Sequence, residues 1–223
     1  MDYLAILEDH LGFIERFYTA AAEPFKTTLR KIEAGEEPFV HTCSPEDYDG
    51  PEYLTEGMEA EKCLGVVGNC SLGLLEKALH DYLREFIMRE AGVAKTEALS
   101  PILKQYKGDG WFARYCDFLE KKTEFEWSRS PVAFEQIEQI NLSRNDIYHH
   151  EMIDTTQPRQ SPKHFEKYPV SRFAPEWEIE AFSGEEDQPQ FPLTIAVTCE
   201  KLAAAIGDVR QFCTFVEAQR TKW

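Results

Sequence analysis

No stretch of the chain approaches the roughly 20 consecutive apolar residues that span a bilayer. The first residues, MDYLAILEDH, lack the basic region and apolar run of a secretory leader. Both absences point to a cytoplasmic protein with no membrane partner. No Cys-x-x-Cys pair occurs among the six cysteines, Cys43, Cys63, Cys70, Cys116, Cys199 and Cys213. They are scattered and fall partly on apolar helical positions, so reduced core thiols are favoured over a zinc framework. Basic residues are scarce: 24 Lys and Arg stand against 40 Asp and Glu, a net charge of −16. A broad basic platform for nucleic acid is thereby excluded. Gly65, Gly68 and Gly73 lack the lysine and hydroxyl that complete a phosphate loop. Paired Glu-x-x-His motifs of a metal-dependent helical bundle are missing, as is any internal repeat. No motif implies a cofactor.

The location of the charge qualifies that exclusion. Residues 36–61 hold nine acidic and no basic residues, and residues 174–198 hold six more unopposed, which is fifteen of the sixteen net negative units. The remainder is near neutral, so a single small phosphate site stays open. The acidic stretches read as solvated loops, with a basic regulatory or neutralising protein as a partner they would suit.

What the chain does have is helical periodicity in a polypeptide that is 43% hydrophobic and 13% aromatic. Tyr3, Leu4, Leu7, Leu11, Ile14, Phe17, Tyr18 and Ala21 make one apolar face, which Pro24 should kink or end and Gly35 should stop. The segment 35–53 reads as a loop; His41 and Cys43 in it lack the second ligand pair that a metal site needs. A long helix over 56–90 carries Leu72, Leu75, Leu79, Tyr82, Leu83 and Phe86 on one side. Gly65, Gly68 and Gly73 inside it either admit a close neighbour or divide it in two. Ser100-Pro101 and Ser130-Pro131 look like helix starts, a serine cap before proline at the first helical position. The fold class expected is all-α, an antiparallel helical bundle.

After Asp154 the composition shifts, with six of the twelve prolines in about 35 residues. Regular helix is expected to be excluded there. Trp177, Ile179 and Ala181 alternate with glutamates, and Phe191, Leu193, Ile195 and Val197 alternate with polar or small residues, the pattern of a two-stranded β-hairpin. Thr198 should cap a last amphipathic helix. The organisation expected is therefore a helical bundle over 1–154, a proline-rich linker with a hairpin over 155–197, and a C-terminal helix over 198–223 packing on the bundle.

The one chemically dense stretch is SRNDIYHHE, Ser143 to Glu151. On a wheel of about 100° per residue, Ala133, Phe134, Ile137, Ile140, Ile147 and Tyr148 share an arc, and Arg144 falls inside it. A buried arginine needs an anionic partner, and Glu76 or Asp81 of the long helix could supply it. Asn145 and His149 stack four residues apart, whereas Arg144 lies about 140° from His149, a gap that a second copy of the chain could close across a two-fold axis.

The order Arg144-Asn145-Asp146-Ile147-Tyr148-His149, near the end of a helix in an all-α chain, resembles the motif of the HEPN (higher eukaryotes and prokaryotes nucleotide-binding) domains. The resemblance covers about residues 1–154 and implies a homodimeric, metal-independent endoribonuclease with the motif at the dimer interface. By position, it implies that Arg144 holds the scissile phosphate and that Asn145 orients it. His149 then serves as acid or base at the ribose 2′-hydroxyl, with His150 as the alternative at the family's longer spacing. Some members of that family are noncatalytic nucleotide- or partner-binding modules, which is the alternative. Arg129 and the Lys163 to Lys167 stretch are the basic residues that could extend an RNA surface.

Overall fold

The computed structural model describes residues 2–40, 52–94, 99–108, 110–122, 125–149, 157–183 and 189–220. Among them are eight α-helices: α1 (Tyr3–Ala34), α2 (Leu54–Glu90), α3 (Leu99–Leu103), α4 (Gly110–Lys122), α5 (Phe134–His149), α6 (Pro162–Lys167), α7 (Glu176–Phe182) and α8 (Cys199–Arg220). The all-α expectation holds for these residues. His41, Cys43 and His150 lie outside them.

Helix α1 buries Leu7, Leu11, Ile14, Tyr18 and Ala22, a stripe at helical spacing. It runs unbroken through Pro24. That proline removes the amide partner of the Ala20 carbonyl, and both residues are exposed, so water can serve the freed carbonyl. The helix ends at Gly35, whose left-handed φ of 63° lets its amide turn back to the Ile32 carbonyl. Arg89 at the end of α2 stacks over Tyr3, 4.8 Å from the ring centre. Ile32 near the end of α1 lies beside Gly57 near the start of α2. The two helices therefore run in opposite directions. Helix α8 runs against α1 and along α2: Arg210 pairs with Glu8 at 2.8 Å, while Tyr82 donates to the Cys213 carbonyl at 3.1 Å and Arg89 pairs with Glu217 at 3.0 Å. As expected, Thr198 caps α8, its hydroxyl accepting from the Lys201 amide at 3.3 Å.

Helix α2 is continuous across Gly65, Gly68 and Gly73, which resolves the alternative in favour of close approach at two of them. A Cβ at Gly68 would stand 3.0 Å from the Cβ of Val197 and closer still to its carbonyl oxygen, and one at Gly73 would strike the Tyr148 hydroxyl at 2.6 Å. Gly65 faces open space. Cys116 and Cys213 are buried in the core, where burial pushes both thiols well above their ordinary range.

Three expectations are corrected. The segment after Asp154 does contain helix, because Pro162 and Pro175 occupy helix starts and its other prolines lie outside the helices. Ser161 caps α6 with Pro162 at its first turn, and Pro175 stands at the N-cap of α7. The first strand of the expected hairpin is α7, and among the described residues only two isolated bridges, Arg159 with Thr194 and Ser183 with Pro189, have β character. The alternation of Trp177, Ile179 and Ala181 carried no burial signal: Trp177 is 65% exposed, and Glu178 is the buried residue of α7. The Glu178 carboxylate accepts from both the amide and the hydroxyl of Thr194 at 2.6 Å, satisfying a charge that burial would otherwise penalise. The Ser130-Pro131 device also starts its helix late. Ser130 closes a local turn with Val132, and α5 begins at Phe134.

The 157–173 segment lies across α5. Glu138 accepts from Tyr168 at 2.5 Å and from Lys167 at 2.7 Å, Gln139 accepts from the Arg172 amide at 2.8 Å, and Asp146 bonds His164 at 2.6 Å. Arg172 also reaches Asp208 of α8 at 2.8 Å, tying the two helices. Helix α5 thus buries apolar Ile137 and Ile140 on one side and a row of hydrogen-bonded polar residues on another.

Candidate functional site

Helix α5 crosses α2 so that Arg144 meets Glu76. The Nε of Arg144 lies 3.6 Å from Oε2 of Glu76, whose side chain is only 7% exposed against 34% for the arginine. Glu76 is one of the two carboxylates expected to answer the buried arginine. Its other oxygen accepts from the Trp111 indole N–H at 3.0 Å. Burial raises the Glu76 pKa, while Arg144 and the Trp111 bond pull the other way. Arg144 further donates to Oδ1 of Asn145 at 3.1 Å and lies over the Tyr148 ring at 4.7 Å. The guanidinium is thereby held by a carboxylate, an amide and an aromatic face, with part of its surface left to solvent.

His80, one turn beyond Glu76 on α2, packs against Trp111 with ring centres 4.3 Å apart and bonds the Tyr115 hydroxyl at 3.2 Å. Burial drives its pKa down from the ordinary 6.5 to about 4; Asp81 opposes this, and Arg84, Lys77 and Arg144 reinforce it. The unfolded chain takes up this proton near pH 6.5 and the folded chain only near 4. The contribution of neutral His80 is therefore complete above pH 6.5 and lost as pH falls toward 4. Urea denaturation at pH 7.5 and pH 5 should show a larger loss for wild type than for His80→Gln. Equal losses would mean that His80 is not the group responsible.

Of the predicted site residues, the structure brings Arg144 and Asn145 together. It leaves His149 exposed at the last position of α5, and no hydrogen bond among the described residues joins it to Arg144. Lys167, expected to extend a basic surface, is engaged by Glu138. Sequence reading missed His80, Trp111 and Tyr115 as neighbours of Glu76. The usable signal was their spacing: Glu76 and His80 are four apart on α2, and Trp111 and Tyr115 are four apart on α4, so each pair presents one face. Also missed was the Asp146–His164 pair, with both residues buried.

No helix among the described residues is long and apolar enough to cross a membrane, and no group of three or more metal-ligating side chains is found there. No protein-family model, curated protein or solved structure matches the chain.

Proposed function

We propose that this chain is a cytoplasmic endoribonuclease of the HEPN kind, an antiparallel helical bundle that acts as a homodimer and cleaves RNA without a metal ion. The observation that carries the reading is the held but accessible guanidinium of Arg144. Glu76 and Tyr148 fix its position, and the open side can take a phosphate oxygen in a charge-assisted hydrogen bond. Asn145, already on the guanidinium, orients the same phosphate. His149 removes the proton of the ribose 2′-hydroxyl or supplies one to the leaving oxygen, with His150 as the alternative. Attack of that hydroxyl on phosphorus breaks the bond to the 5′-oxygen and leaves a cyclic phosphate, which restricts the substrate to RNA.

Support for the dimer comes from α2. Val66, Cys70 and Leu74 recur at i, i+4 and i+8 and are exposed, as is Tyr148 beside Arg144. An apolar strip bordering the site suits a self-complementary contact in which the partner's copy of the motif completes the cleft. The second reading, a noncatalytic module that binds a nucleotide or a partner protein, draws on Arg144 being engaged by Glu76 and on His149 making no bond to it.

Incubation of the purified protein with structured RNA in EDTA separates these readings. The wild type is expected to cleave and to leave cyclic phosphate ends, with Arg144→Ala and His149→Ala each slower by about a hundredfold. Cleavage that persists in both variants would remove the site assignment, and wild-type protein that binds RNA without cutting it would leave the noncatalytic module.

A further inference from the structure

A second concavity lies on the other side of the 157–200 segment, where α1, α2 and the start of α8 meet. It encloses about 530 Å³, within the range of small-molecule sites. Its walls include Tyr18 of α1 and Trp177 of α7, the latter 65% exposed although it is the largest side chain of its helix. An aromatic of that size left uncovered beside a cleft offers a stacking face. Two cations stand in the lining, Lys26 and Lys62, and among the described residues neither has a carboxylate within ion-pair distance. Lys26 rests over the Tyr18 ring, 5.5 Å from its centre.

Two carboxylates also border the cleft, Glu61 and Glu200. The Glu200 carboxylate turns back on its own amide and on the Thr198 hydroxyl at the start of α8, and these bonds, with a smaller contribution from the charge of Lys26, hold the acid below its ordinary pKa. That helix end is therefore not the anion receptor, and the role falls to the lysines. From the aromatic face and the two lysines, we infer that this cleft binds a small molecule made of a flat aromatic ring and an anionic group, about the size of a mononucleotide. The ring stacks on Trp177, and the anion is met by Lys26 and Lys62. The site is separate from Arg144.

Gly65 supplies the test. It lines the cleft, and a Cβ placed on it meets nothing within 4 Å, so Gly65→Phe can fill the space without displacing backbone. The probe is adenosine 5′-monophosphate, titrated calorimetrically beside adenosine and inorganic phosphate. Wild type is expected to bind the monophosphate more tightly than either fragment, and Arg144→Ala is expected to bind it equally well. Gly65→Phe should abolish binding, Trp177→Ala should weaken it about tenfold or more, and the Lys26→Gln, Lys62→Gln double variant should reduce the monophosphate to the affinity of adenosine. Circular dichroism and thermal melting confirm that each variant folds. Unchanged binding in folded Gly65→Phe overturns the inference, as does binding lost in Arg144→Ala, or no monophosphate binding by wild type at millimolar concentration.

Discussion

Gly68→Leu is expected to destabilise the protein by about 3 kcal/mol or more, whereas Gly65→Ala, three residues earlier in the same helix, should stabilise it by up to about 1 kcal/mol. Both changes replace a helix-interior glycine, and on propensity alone both should help, since glycine costs roughly 0.5–1 kcal/mol there relative to alanine. Packing reverses the sign at Gly68. Its hypothetical Cβ falls against the backbone carbonyl of Val197 and 3.0 Å from that residue's Cβ, and Val197 is itself buried where the chain enters α8. A carbonyl fixed next to a helix start cannot rotate away as a side-chain tip could, so α2 and α8 must separate. Gly73 makes the intermediate case, because its obstacle is the hydroxyl end of the exposed Tyr148, which can swing out. Urea titrations of Gly65→Ala, Gly73→Ala and Gly68→Leu should rank in that order. A Gly68→Leu protein as stable as wild type would show that α2 and α8 do not approach as described.

These contrasts mark where the sequence was legible. The apolar stripes of α1, α2 and α8 could be read directly because each buries one face against a neighbouring helix, and spacing alone reports that. Arg144 was legible for the opposite reason: a charge inside an apolar arc must have a buried counter-charge, and Glu76 provides it. Helix α5 was only half legible. Glu138, Gln139 and Asp146 look like a solvent face, and nothing in their own periodicity tells that a segment some 20 to 30 residues later covers them. The prolines misled there because a proline is incompatible with a helix interior yet favoured at its first turn. Ser161-Pro162 repeats the cap-and-proline order of two earlier positions: it opens α6, Ser100-Pro101 falls in the first turn of α3, and only at Ser130-Pro131 does the helix start later. Trp177 misled through alternation, since a seven-residue helix with one buried acid cannot be distinguished from a strand by period 2 alone.

The cover over α5 leads to the second large effect. His164 has no exposed surface and Asp146 is 7% exposed, and the 2.6 Å bond between them is the innermost link from the 157–173 segment to the motif helix. Asp146→Ala removes the acceptor and leaves Nδ1 of a fully buried imidazole without a partner; Nε2 of the same ring already lacks one among the described residues. His164→Ala strands the carboxylate in the same place. Each single change is expected to cost about 3–5 kcal/mol. Asp146→Asn, which keeps an acceptor oxygen of similar shape, should cost less than Asp146→Ala. Because most of each penalty comes from the group left behind, the Asp146→Ala, His164→Ala double variant should be more stable than the sum of the two single losses predicts, with a coupling of about 1–3 kcal/mol. Urea denaturation of the four-member cycle measures this, and additive losses would mean that the two side chains do not act as a pair. The cycle also bears on the proposed site, since Asp146 follows Arg144 and Asn145 on α5. If the cover only stabilises the fold, RNA cleavage by the double variant should return with its stability. If it also sets the orientation of α5 against Glu76, cleavage should stay low in a protein that is folded again.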